Sequence, residues 1–208
     1  MNKLLRKSFS LAAATGIFAI SLGSAFGQAV KVTSEVPTLD DLKSPEFTVS
    51  KSKPFRPKDW LEIEAKLNLD LRPQPKSKTC DKITVKWYLA VKNPENPQTM
   101  LLLTRDIDYV NIPLLEDIYC SVYLSPSSIK RITGLDRSGK NAVEYVGYEV
   151  LVNGQKVAAE TNKGKPGWWS MPSDRISRSE AVPLLSKMET PFAAIWWDRY
   201  AEVSQERR

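Results

Sequence analysis

From Leu61 to Leu71 the odd positions are Leu61, Ile63, Ala65, Leu67, Leu69 and Leu71, while the even ones are Glu62, Glu64, Lys66, Asn68 and Asp70. Successive side chains of an extended chain point to opposite faces, so a strand sorts these residues into one apolar and one polar face. A helix would scatter them round its cylinder. The next run repeats the pattern, with Ile83, Val85, Trp87, Leu89 and Val91 on one side and Lys82, Thr84, Lys86 and Lys92 on the other. One buried and one wet face per strand is the signature of an antiparallel sheet.

Further strands are expected at Phe47 to Ser50, Met100 to Val110, Ile118 to Leu124, Val143 to Val152 and Gln155 to Glu160. The last two flank Asn153-Gly154, a dipeptide that accepts the positive φ angles of a two-residue hairpin turn. About seven strands punctuated by Pro and Gly, with no helices between them, predict an all-β fold: an immunoglobulin-like antiparallel β-sandwich. The usual spacing of cysteine and tryptophan in immunoglobulin domains is absent, since Trp87 follows Cys80 by only seven residues. Ser125 to Thr133 suits a single helical turn. From Thr190, an N-cap followed by Pro191 starts a helix with Phe192, Ile195, Trp196, Tyr200 and Val203 on one face. Asp198 interrupts a strand reading of the same stretch, and its helical or extended character stays open.

The chain opens with a secretory leader pattern. Lys3, Arg6 and Lys7 precede an apolar run from about Leu11 to Leu22, followed by Ala25-Phe26-Gly27 and Gly27-Gln28-Ala29 as cleavage sites. Residues 1–29 are therefore read as a signal peptide, 30–44 as a flexible tether with few large apolar residues, and 45–208 as the sandwich domain. The expected location is the periplasm, the cell surface or the medium, with no membrane span after cleavage. The leader carries three of the 30 Lys and Arg residues and none of the 24 Asp and Glu, which leaves 27 against 24. So small a surplus gives no support to nucleic-acid binding. In an oxidising compartment Cys80 and Cys120 become candidates for a disulfide.

Histidine is absent, which removes His-based triads and His-containing metal sites, and two cysteines are too few for a four-thiolate zinc site. No catalytic, cofactor-binding or metal residues are assigned, and no cofactor is expected. Asp106 and Asp108 lie two apart and would share one side of a strand; such a pair suits Ca²⁺ or acid–base work, but a wet sheet face is the ordinary expectation. Two basic, Pro-rich segments, one with Lys51, Lys53, Arg56 and Lys58 and one with Arg72, Lys76 and Lys78, flank opposite ends of one strand. At ~3.3 Å per residue they lie roughly 35–40 Å apart, several Debye lengths, and do not form one patch. The paired tryptophans Trp168-Trp169 and Trp196-Trp197 are the candidate partner or glycan surface. If each pair lies on a strand, one ring points in and one out.

The leader, the two alternating strands and above all Thr190-Pro191-Phe192-Ala193 with Trp196-Trp197-Asp198-Arg199-Tyr200 resemble a verrucomicrobial group of gut-bacterial immunoglobulin-like proteins associated with type IV pilus genes. That resemblance implies a sandwich related to filament proteins and a place near pilus machinery. The leader lacks the acidic residue of a pilin leader, which points to an accessory and not a polymerising subunit. The expected function is a non-enzymatic exported interaction module with protein partners in a pilus-like or envelope assembly. The alternative is a carbohydrate-binding (mucin-glycan) module using exposed Trp.

Overall fold

The computed structural model describes residues 29–48, 53–135, 137 and 139–205. The leader, apart from Ala29, lies outside them. The chain forms strands β1 (Ala29–Ser34), β2 (Thr38–Lys43), β3 (Asp59–Arg72), β4 (Thr79–Lys92), β5 (Met100–Pro113) and β6 (Ile118–Leu124). After helix α1 (Pro126–Thr133) come β7 (Val143–Val152), β8 (Gln155–Thr161), β9 (Ile176–Arg178), β10 (Leu185–Ser186) and β11 (Glu202–Val203). Two sheets face each other. In the first, β1 and β2 both pair with β3, followed by β6 and β10. In the second, β9 and β11 pair with β5, followed by β4, β7 and β8. Every pairing is antiparallel except β9 with β5, which is parallel. The all-β sandwich expected from the alternation is the fold observed.

Both alternating runs behave as their periodicity demands. The odd positions of β3 from Leu61 to Leu71 are all buried, as are Ile83, Val85, Trp87, Leu89 and Val91 of β4. They meet Val122 and Leu124 of β6 and Val146, Tyr148 and Val150 of β7 in one core. Asn153 and Gly154 take φ values of 51° and 76° and close the β7–β8 hairpin. Helix α1 begins at Ser125, whose hydroxyl accepts from the Ser128 N–H, and ends at Gly134 in a left-handed conformation.

Three expectations need correction. The tether is not loose. Residues 29–43 supply two strands, because Val30, Val32 and Leu39 add apolar surface to the core while their backbones complete the hydrogen bonds of β3. No strand begins at Phe47: residues 44–48 carry none, and the rest of the expected Phe47–Ser50 strand lies outside the described residues. The C-terminal stretch, left open between helix and strand, holds some of each: a 3₁₀ turn, Pro191–Ala194, is capped by the Thr190 hydroxyl accepting from the Phe192 N–H. The chain then turns extended at Ile195 and ends in β11 on the edge of β5.

The disulfide is the third. Cys80 lies in β4 of one sheet and Cys120 in β6 of the other, both buried and both free. Burial pushes both thiols up, away from the reactive thiolate form. Native protein is therefore expected to resist thiol labelling, and to take two labels after denaturation without reductant. Two adducts appearing only after reduction would show the pair bridged.

Candidate functional site

The two tryptophan pairs have different fates. Residues 168–170 form a 3₁₀ turn and not a strand, so Trp168 and Trp169 do not alternate. Trp169 is 7% exposed and lies on the outer face of the second sheet, stacked on Tyr88 with ring centroids 4.6 Å apart. The absence of a side chain at Gly147 lets it down: a Cβ there would stand 2.2 Å from the indole. Its N–H donates to Glu149 at 3.4 Å, while that of half-buried Trp168 donates to Thr161 at 3.0 Å. This pair is a cover for the sheet, with both indole nitrogens occupied.

Trp196 and Trp197 are both exposed, at 46% and 65%. One-in, one-out geometry fails here too, because Trp196 has φ 56° and leaves the strand conformation altogether. The segment that carries them lies across the outer face of the first sheet, and the sequence offers a clear reason. Glu62 and Glu64, which the alternation assigns to the wet face, present acceptors to it. Glu62 is only 6% exposed; its Oε1 accepts from the Tyr123 hydroxyl at 2.5 Å and from the Tyr200 hydroxyl at 2.8 Å. Burial pushes the Glu62 carboxyl up, and the two tyrosine hydroxyls partly offset this. Glu64 takes Arg199 in a fork, with Nη2 at 2.7 Å and Nε at 3.2 Å, and the guanidinium lies 3.9 Å over the Tyr119 ring.

Apolar packing completes the attachment. Phe192 is buried, stacks on Tyr123 at 5.4 Å and meets Trp60 edge-on at 5.8 Å. Trp196 adds a third parallel ring, 6.0 Å from Phe192. Lys187 is the unexpected member. It is 6% exposed, donates to the Ile195 carbonyl at 2.6 Å, and holds its ammonium over the rings of Trp197 and Tyr200 at 5.6 and 5.2 Å. Burial pulls the Lys187 ammonium down from its ordinary range, while Glu62 opposes the shift. Beside Trp197 opens a groove of about 650 Å³, with Val110, Met188 and Val203 among its apolar lining and Asp198, Glu202 and Gln205 among its polar groups.

Sequence reasoning found Trp196 and Trp197 but missed Glu62, Lys187 and Tyr200, which hold them. The signal for Tyr200 was its place in the motif; Glu62 gave none, since an acid on an alternating face reads as solvated. Asp106 and Asp108 stand on the polar face as expected, and there they pair with Lys86 at 3.2 Å and Lys82 at 2.6 Å. Burial raises the Asp108 carboxyl, but hydrogen bonds from Lys82 and Thr84 outweigh it and hold the group below its ordinary value. Among the described residues no cluster of three Cys, Asp or Glu is placed to hold a metal, and no helix is long and apolar enough to cross a membrane.

Comparison with known proteins places this architecture. No curated protein matches the chain. A crystal structure of a protein from the verrucomicrobial bacterium Akkermansia muciniphila is similar at 38% identity, with a TM-score of 0.81. The similarity covers 86% of this chain and 95% of that one. A family model matches residues 23–207, and the chain belongs to that family.

Proposed function

We propose that this chain is a non-enzymatic, exported interaction module, accessory to a type IV pilus-like or cell-envelope assembly, that meets a protein partner through the surface around Trp196. The leader pattern supports export, and the family resemblance supports the setting. The observation that carries the reading is Trp196 itself. A left-handed backbone costs an L-residue roughly 1–2 kcal/mol, and a large side chain exposed there gains little from burial in its own fold. The conformation persists because its surroundings dictate it: Phe192 receives the ring, and the Arg199 N–H donates to the Trp196 carbonyl at 3.2 Å. Such locally unfavourable conformations concentrate where proteins bind, and Trp is among the residues that dominate interface energetics.

A photo-crosslinking residue in place of Trp196 tests this in cells. Crosslinks to envelope or pilus-assembly proteins are expected, absent when the same residue replaces exposed Gln155. Equal labelling from both positions removes the proposal.

A further inference from the structure

We infer that the groove beside Trp197 binds neutral or N-acetylated pyranose sugars. Trp196 and Trp197 are neighbours with separate surroundings: Trp196 stacks back on Phe192, whereas Trp197 borders the groove. Trp197 therefore offers a single ring as a platform, and among the described residues it is the most exposed of the large apolar side chains. Lys187 lines the same groove, its ammonium 5.6 Å from the centroid of that ring. Lys187 is itself fixed by the Ile195 carbonyl at 2.6 Å. The ring is thus oriented before any ligand arrives, which spares the ordering cost that weakens binding to a mobile side chain.

The chemistry around the ring selects among ligands. A pyranose carries C–H groups on one face, which pack on a flat ring, and hydroxyls at its edge, which need acceptors and donors. The groove supplies both kinds of group, with Val110 and Val203 as apolar walls and Asp198, Glu202 and Gln205 as polar ones. Glu202 is held in place by the Asn111 amide, which donates to it at 2.9 Å. A volume of about 650 Å³ falls within the ~300–1,000 Å³ of small-ligand sites. A cationic ligand is disfavoured because the Lys187 ammonium already stands over the ring and lines the groove. Sialylated, sulfated and phosphorylated ligands are disfavoured because two carboxylates, Asp198 and Glu202, line the groove against the single ammonium of Lys187.

This site stands apart from the partner reading, since it rests on Trp197 and not on Trp196. The test is a glycan array holding neutral, N-acetylated, sialylated and sulfated oligosaccharides, followed by fluorescence titration of each glycan retained. Wild-type protein is expected to bind at least one neutral or N-acetylated glycan. Trp197→Ala should weaken that binding at least tenfold, Trp197→Phe should restore most of it, and Trp196→Ala should leave it within twofold. Trp197 is exposed, so its replacement leaves the core packing untouched. Binding of no neutral glycan, binding only of acidic ones, or undiminished binding by Trp197→Ala would each overturn the assignment. Loss of crosslinks at position 196 with sugar binding intact would sink the partner reading alone.

Discussion

Trp87→Ala is expected to destabilise the protein by about 3–5 kcal/mol, the range for deleting a large buried aromatic side chain. Trp87 is fully buried at the centre of β4, which is hydrogen-bonded along most of its length to β5 on one side and β7 on the other. Its ring meets Tyr148 at 5.4 Å, and its neighbours are backbone-locked on both flanks, so the cavity has little room to collapse. Against a typical total stability of about 5–15 kcal/mol, such a loss consumes much of the margin. Trp87→Phe should cost less, because it keeps a ring against Tyr148 and removes an indole N–H that finds no partner among the described residues. Urea unfolding measures both. The midpoint should fall with the slope unchanged, and a shift no larger than that of an exposed substitution would contradict the packing account.

Glu62→Ala is the second large effect, about 3 kcal/mol or more, because it strands the Tyr123 and Tyr200 hydroxyls and leaves the Lys187 ammonium without its neighbouring negative charge. Glu62→Gln keeps an acceptor for the tyrosines and should cost less. The pH dependence separates charge from geometry. Burial raises the Glu62 carboxyl above its ordinary value, so the folded protein holds this proton more tightly than the unfolded chain does. Its contribution therefore rises as pH falls from neutral towards the ordinary carboxylate range, and levels off below it. Asp108 and Glu189 act oppositely. Both are partly buried, yet hydrogen bonds hold them below their ordinary values, so their contribution is lost as pH falls further. Wild-type Tm should climb on mild acidification and then drop, whereas Glu62→Gln should lose the climb and keep the drop. A climb of the same size in both proteins would mean that Glu62 is not its source.

The strands were legible because their alternation reports directly which side chains meet the core. Ile63, Val85 and Val122 each sit where period two places them. What alternation reports badly is the opposite face. It marks Glu62 and Glu149 as solvated, yet each lies beneath a distant segment: residues 187–200 over Glu62, and Trp169 over Glu149. Nothing local to Glu62 announces that cover, since Tyr200 is 138 residues away. The same limit explains the missed β1 and β2. Segments of six residues with few large side chains have little apolar signal of their own, and pair because β3 presents a long edge. The disulfide expectation came from compartment alone, which says nothing about which sheet each cysteine enters.

The short strands near the end of the chain have a consequence for trimming the protein. β10 and Tyr200 lie along β6, while β9 and β11 lie along β5. Cutting the chain back to residue 175 would strip both flanks at once, leaving two naked rows of amide and carbonyl groups able to zip onto copies of the same molecule. Residues 176–203 thus act as a selvedge: besides carrying tryptophans, they keep a sheet protein from knitting itself into aggregates.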